Sequence, residues 1–150
     1  MRDPKDIKKQ IQLEFSGSEL GVRKALQTII DGLVGGGHCQ NDLGLVEVVL
    51  AEVFNNIVEH AYEAGSAGRI FVSVTVCAER FCFLVTDEGR ALPFEAISQG
   101  GLPELDGPLE TLPEGGFGWY LVRKLASDLS YQRKDGRNEL MFSMPFQADL

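Results

Sequence analysis

The sequence contains three short groups of residues whose types are able to bind or activate a ligand. Glu52 and Asn56 lie four residues apart in a long helical pattern. The run 87–89, Asp-Glu-Gly, ends a strand-like segment, and the run 115–118, Gly-Gly-Phe-Gly, precedes a second helical pattern. Carboxylate and amide groups bind cations and amino groups, whereas clustered glycines expose backbone N–H groups to anions. The three groups together offer partners for a cation, an amino group and an anion.

The first group forms one polar arc of a helix. With 3.6 residues per turn, Asn56 and His60 lie about 40° and 80° round the helix from Glu52. A carboxylate and an amide oxygen one turn apart suit a hard cation such as Mg²⁺. A solvated helix face is the alternative, and the arc points away from the apolar stripe of the same helix. Asn55 and Asn56 favour a ligand site, because asparagine is a poor helix former in the middle of a helix. We take His60 to be a structural residue.

The second group places a carboxylate where a buried strand stops. Asp87 can accept a hydrogen bond from a ligand amino group, such as that of adenine, and Gly89 lets the backbone approach closely. Ordinary turn chemistry is the alternative, because Asp and Gly are common at strand ends.

The third group consists of glycines at the start of a helix. Gly115, Gly116 and Gly118, with Phe117 between them, expose N–H groups at the positive end of a helix, which suits a triphosphate. The run has no Lys-Ser/Thr ending of a P-loop and lacks the early strand–turn–helix context of a dinucleotide fingerprint. A plain glycine-rich linker remains the alternative.

Hydrophobic periodicity predicts the elements that must position these groups. A period of two predicts strands, and apolar residues three and four apart predict helices. Residues 88–115 hold four prolines without a clear period and are predicted to be a loop with a lid at 94–114. The order of the predicted strands and helices along the chain predicts an α/β (α+β) two-layer sandwich with a mixed, mainly antiparallel sheet and helices on one face. The predicted strands are 11–15, 70–77, 81–86, 129–134 and 139–146, with a turn at 135–138, and the predicted helices are 20–33, 43–63 and 118–129.

Composition restricts the class of protein. The chain has 150 residues, 44% of them hydrophobic, which predicts a single domain spanning 1–150. A net charge of −8 opposes binding to nucleic acid. The three cysteines lack metal-ligand spacing, and no signal peptide or membrane span is evident, so we expect a cytoplasmic protein.

The order of the three groups resembles the N, G1 and G2 boxes of the ATPase superfamily of gyrase, heat-shock chaperones and histidine kinases. Residues 52–61, EVFNNIVEHA, and 115–128, GGFGWYLVRKLASD, are similar to the corresponding segments of anti-sigma-factor serine/threonine protein kinases. The segment 131–140 with its Asp-Gly-Arg-Asn turn is also similar. The resemblance covers nearly the whole chain and implies a Bergerat-type ATP-binding fold.

The resemblance implies a role for each candidate residue. Glu52 would be the general base or would position the attacking group, Asn56 would coordinate Mg²⁺, and Asp87 would bind the adenine amino group. Gly89 would lie against the base. The glycines of the third group, Gly115, Gly116 and Gly118, would meet the phosphates of ATP beneath the lid.

The resemblance also implies partners. The acceptor would be a serine or threonine of an anti-anti-sigma protein of the STAS type, a sigma factor would be sequestered, and a homodimer is common in the family. The chain departs from the family pattern at Ala91, where a second glycine is usual, and at Arg90 and Pro93, which puts the adenine side in doubt. A catalytically silent nucleotide-dependent binding module and a detached histidine-kinase catalytic domain remain alternatives.

Overall fold

A computed structural model describes residues 7–60, 68–92 and 116–147 of the chain. Within these ranges the chain forms five strands and three helices, in the order predicted from the sequence. The strands are β1 Lys9–Ser16, β2 Arg69–Val76, β3 Arg80–Asp87, β4 Ser127–Lys134 and β5 Arg137–Pro145. The helices are α1 Glu19–Leu33, α2 Gln40–His60 and α3 Gly116–Leu125.

The five strands form one sheet in the order β1-β2-β3-β5-β4. Every pairing between these strands is antiparallel, so the described sheet is more uniform than the mixed sheet predicted. Strands β2 and β3 form an antiparallel hairpin. The hairpin of β4 and β5 turns through Asp135 and Gly136, whose φ values of 52° and 77° are those of a type I′ turn. The predicted four-residue turn was therefore too long, because Arg137 and Asn138 already pair as part of β5.

The sheet has one buried and one partly exposed face. On β3, Phe81, Phe83 and Val85 alternate with less buried residues and join a hydrophobic core with the helices. Leu84 on the other face is 38% exposed. This period of two shows why the strands were readable from the sequence, since one face is packed and the other is not.

Helix α1 is capped at its start by Ser18. The Ser18 hydroxyl accepts a hydrogen bond of 3.1 Å from the Gly21 N–H, which satisfies one of the donors left free at a helix start. The helix then buries Val22, Ala25, Ile29 and Leu33 against the core.

Helix α2 is anchored to the sheet at its start. The Asp42 carboxylate accepts a hydrogen bond of 3.2 Å from the N–H of Gln147, just beyond β5. The predicted apolar stripe is confirmed, because Val46, Leu50 and Ile57 are fully buried. Residues 61–63 of the predicted helix and the predicted lid at 94–114 lie outside the described residues. Among the described residues, none of the helices has the length and hydropathy needed to cross a bilayer.

Helix α3 differs from its predicted bounds at both ends. It begins at Gly116, not after Gly118, and it ends at Leu125, four residues before the predicted end at Leu129. Leu129 belongs to β4, where it packs against the core. Asp128 adopts a left-handed φ of 55°, which no helix continues, and pairing with β5 then takes over.

Two helical glycines are expected to respond oppositely to alanine. A Cβ on Gly21 would lie 2.0 Å from the backbone oxygen of Ser16, so Gly21→Ala should destabilise the fold by about 1–3 kcal/mol or more. A Cβ on Gly44 in α2 would meet nothing within 4 Å, so Gly44→Ala should stabilise by about 0.5–1 kcal/mol. Urea unfolding of both variants checks this, and equal stabilities would contradict it.

Candidate functional site

The predicted groups on α2 and β3 lie at the same end of the sandwich. Helix α2 starts beside the end of β5, where Gln147 contacts Asp42. Because β3 and β5 are antiparallel, that is also where β3 starts, as the pairing of Arg80 with Pro145 shows. Both α2 and β3 therefore run away from that end. Asn56 near the end of α2 and Asp87 at the end of β3 are thus brought to the opposite end.

The start of α3 contacts the polar arc of α2 directly. A Cβ built on Gly118 would lie 2.7 Å from Oε2 of Glu52 and 2.8 Å from Nδ2 of Asn56. Both distances are shorter than real Cβ contacts, so a side chain at residue 118 would displace the Glu52 carboxylate and the Asn56 amide. The structure therefore brings together three residues that the sequence had placed in two separate groups.

The contact with α3 corrects the predicted surroundings of the polar arc. The arc was predicted to face away from the core, but Asn56 is buried at 4% exposure. Its Nδ2 donates a 2.7 Å hydrogen bond to the backbone oxygen of Glu52, which leaves Oδ1 of the amide available as an acceptor. Asn55, Glu59 and His60 are exposed. Only part of the arc is therefore a site, and the rest is a solvated helix face.

The glycines of the third group lie inside the first turn of α3. Gly116 and Gly118 are helical residues, whereas Gly115 and the Phe117 side chain lie outside what the structure describes. The first N–H groups of a helix have no acceptor within it, and they lie at its positive end. This turn therefore presents anion-binding donors next to Glu52 and Asn56.

The Asp87 carboxylate is buried in a network of hydrogen bonds. It is 1% exposed, and its Oδ1 accepts a 2.9 Å bond from the Gly89 N–H and a 2.8 Å bond from Nδ2 of Asn138. Burial raises the pKa of Asp87 above its ordinary value, while the bonds from Asn138 and Gly89 and the charge of Arg133 act in the opposite direction. The predicted pair of Asp87 and Gly89 is thus a local structure that orients the carboxylate.

Three functional candidates on β4 and β5 were missed by the sequence argument. Oδ1 of Asn138 accepts hydrogen bonds from the Tyr131 hydroxyl, at 2.5 Å, and from Nη1 of Arg133, at 2.9 Å. Asn138 pairs with both Asp87 and Arg133 across the sheet. A signal existed, because Asn138 continues the alternate positions of the buried Leu140 and is therefore a polar residue on the core face.

The loop after Asp87 is held by the same residues. Nη1 of Arg133 donates to the backbone oxygen of Gly89 at 2.8 Å, and Nδ2 of Asn138 donates to that of Arg90 at 2.7 Å. The Leu92 N–H donates to the Tyr131 hydroxyl at 3.0 Å. Ala91 lies between these anchored residues and is exposed. The residues on both sides of Ala91 are therefore held by hydrogen bonds to β4 and β5.

Fold and site together define an antiparallel α/β sandwich that has a glycine-containing helix start, a partly buried polar arc and a buried carboxylate at one end. Residues 22–144 match the sequence profile of the histidine kinase-like ATPase domain, and the chain belongs to this family of ATP-binding domains. The expected resemblance to this superfamily is thereby confirmed.

Proteins of known name and solved structures agree with this assignment. The chain is 30% identical over 106 residues to the serine-protein kinase RsbW of Bacillus mycoides and 29% identical to that of a Bacillus cereus strain. Each alignment covers 70% of this chain and 66% of the relative, so the chain spans slightly less than two thirds of these relatives. The crystal structure of the RsbU and RsbW domains of a Mycobacterium tuberculosis protein has a TM-score of 0.64 at 14% identity. The superposition covers 91% of this chain and 32% of the M. tuberculosis chain, and the two share the same fold.

We expect Asp87→Asn to stabilise the unliganded protein near neutral pH. Burial raises the pKa of Asp87 in the folded protein above its value in the unfolded chain. The protonated carboxyl therefore contributes to stability below the unfolded-state pKa, and this contribution is lost as the pH rises through the folded-state pKa. Asparagine removes the buried charge and keeps an oxygen for the Gly89 and Asn138 donors. Thermal unfolding should show a higher Tm for the variant at pH 7.5, with the difference shrinking near pH 4. A lower Tm at pH 7.5 would contradict this.

Gly118→Ala should disturb the contact between α3 and the polar arc of α2. The added methyl group meets the Glu52 carboxylate and the Asn56 amide, so we expect a loss of about 1–3 kcal/mol in urea unfolding. Glu52→Ala removes one of the two contacted groups and should therefore recover part of the loss in the double variant. Additive effects of the two substitutions would show that the contact is absent in solution.

Proposed function

We propose that the chain is an ATP- and Mg²⁺-dependent serine/threonine protein kinase of the anti-sigma-factor type. The observation that carries the proposal is the contact of Gly118 with Glu52 and Asn56, which sets a carboxylate and an amide beside the start of α3. The chain belongs to an ATP-binding domain family, and its relatives include proteins named serine-protein kinases. The proposal joins this family chemistry to the geometry of the site.

The residues at the start of α3 fit a metal-bound triphosphate. The amide oxygen of Asn56 is a hard oxygen donor of the kind that Mg²⁺ prefers. Bound Mg²⁺ would supply neutralisation of phosphate charge. The N–H groups of the first turn of α3 would hold phosphate oxygens, as helix starts do for anions. Asn56 is kept in place by its bond to the Glu52 backbone, so its oxygen is oriented before a ligand binds.

Glu52 is the residue that would act on the acceptor. Its carboxylate contacts the start of α3, so it lies beside the donors that would hold the phosphates. A carboxylate there can orient the acceptor hydroxyl and accept its proton, while positioning supplies most of the rate enhancement in phosphoryl transfer. Asp87 would bind the adenine amino group, because an ionised carboxylate is only an acceptor. Gly89 would lie against the base.

The partners follow from the resemblance to anti-sigma kinases. We propose that the acceptor is a serine or threonine of an anti-anti-sigma protein of the STAS type. A sigma factor or an analogous protein would be bound in a second complex, and a homodimer of this chain is compatible with that arrangement. The cytoplasm is where such partners meet, so we keep it as the proposed location.

Substitution of Glu52 should separate ATP binding from phosphoryl transfer. We expect Glu52→Gln to lower transfer by about 10²–10⁴-fold, the usual contribution of a general base, and to leave the Kd for Mg²⁺-ATP nearly unchanged. Glu47→Gln is the matched control, because Glu47 is an exposed glutamate of the same helix and lies about 140° round the helix from Glu52. The assay is transfer of γ-labelled phosphate from ATP to proteins in an extract of the source organism, beside calorimetric ATP binding.

The label distinguishes the alternatives. An acid-stable label on one protein, lost in Glu52→Gln and kept in Glu47→Gln, supports the serine/threonine kinase and identifies its acceptor by mass. An acid-labile label indicates histidine phosphorylation and a detached histidine-kinase domain. ATP binding without a labelled protein indicates a silent binding module. Absence of ATP binding would refute the proposal as a whole.

A further inference from the structure

The Asn138 amide is held in one orientation by two donors. Its Oδ1 accepts hydrogen bonds from the Tyr131 hydroxyl and from Nη1 of Arg133, so the oxygen must face β4. The NH₂ group must then face β3, where it donates to Oδ1 of Asp87 and to the backbone oxygen of Arg90. A flipped amide would direct its NH₂ group at the Arg133 guanidinium, which only donates, and its oxygen at two acceptors, so it would lose the bonds with Arg133, Asp87 and Arg90.

This orientation divides the two oxygens of the Asp87 carboxylate between different tasks. Oδ1 accepts hydrogen bonds from the Gly89 N–H and from Asn138. Among the described residues, the hydrogen bonds to this carboxylate all fall on Oδ1. Oδ2 is therefore the oxygen with spare acceptor capacity.

We propose that Asn138, oriented by Tyr131 and Arg133, is a positioning residue that reserves Oδ2 of Asp87 for an amino group of the ligand base. The inference rests on the proposed ATP binding and adds a residue for base selectivity. A 6-aminopurine presents an N–H donor to this oxygen. A 6-oxopurine presents an acceptor there, and two acceptors repel, so ATP is favoured over GTP through the position of this one oxygen.

The same residues hold the segment that follows β3. The Tyr131 hydroxyl donates to Asn138 and accepts from the Leu92 N–H, so one hydroxyl joins the carboxylate network to Leu92. Arg133 bonds both Asn138 and the Gly89 oxygen. The positions of Asp87 and of residues 89–92 are therefore set together.

The test compares Mg²⁺-ATP, Mg²⁺-GTP and the triphosphate of purine riboside, which lacks the 6-amino group. Calorimetric titration of the full chain should give a Kd for ATP roughly 10- to 100-fold lower than for the purine analogue, since a hydrogen bond to a charged group is at stake. Asn138→Ala should raise the Kd for ATP by about tenfold or more and leave that for the purine analogue unchanged. The ratio of the two Kd values is the readout, because a general loosening of the site would raise both.

Two further variants keep the test decisive. Tyr131→Phe removes only the hydroxyl that orients Asn138, and we expect the same ratio to fall by about two- to tenfold. Gln132→Ala is the control: it removes the 2.7 Å bond from Gln132 to Glu139, which links the same two strands one residue away on the opposite face of the sheet. This control should leave the ratio unchanged.

Each outcome decides the question. If Asn138→Ala and Tyr131→Phe weaken ATP and the purine analogue equally, or if the wild type does not discriminate between them, Asn138 has no role in base selection while the proposed ATP binding stands. If the wild type binds none of the three nucleotides, the proposed function and this inference both fail.

Discussion

The close approach of α3 to α2 at Gly118 is the constraint on which the site depends. Helix α2 buries its apolar stripe against the sheet and the facing helix, and the start of α3 covers part of its polar arc. Burial of the Asn56 amide is costly unless its hydrogen bonds are satisfied. The bond from its NH₂ group to the Glu52 backbone offsets part of this cost and keeps the oxygen available. The absence of a side chain at Gly118 and the bond of Asn56 to the Glu52 backbone therefore allow polar groups to lie between two packed helices.

The second polar cluster, around Asp87, also contains a buried polar group whose burial is costly. Asp87 ends a strand of the sheet and is almost completely buried, and that burial raises its pKa. The Asn138 amide, the Gly89 N–H and the Arg133 charge favour the ionised form. Desolvation remains the largest of these effects. A buried carboxylate of this kind is expensive for the unliganded fold, as groups at functional sites often are.

The part of the chain that matches the family contains both polar clusters. The matched residues 22–144 include α2, the end of β3, α3 and most of the β4–β5 hairpin, so both clusters lie within the shared domain. The solved structure at 14% identity shows that this fold persists when most side chains differ. Buried apolar positions tolerate exchange of one hydrophobic residue for another, whereas the backbone approach at Gly118 depends on the absence of a side chain.

Local periodicity was sufficient to predict the elements and their order. Alternation in 11–15 and in 139–146 predicted strands, and the apolar stripe from Val46 to Ile57 predicted the longest helix, because one face of each is packed. The end of α3 at Leu125 could not be predicted from the sequence, because the apolar spacing continues to Leu129. Strand pairing with β5 and the left-handed backbone of Asp128 end the helix instead. Element ends are decided by competition with pairing partners elsewhere in the chain.

The sequence by itself determined the fold class, the three chemical groups and the order that links them to the ATPase superfamily. It did not determine which members of the polar arc are buried, because helical spacing places Asn56 and His60 on the same arc. Only the tertiary structure decided that α3 covers Asn56 and leaves His60 exposed. It alone brought Asn138 to Asp87, 51 residues earlier in the chain, because strand register joins residues whose separation in sequence carries no local signal.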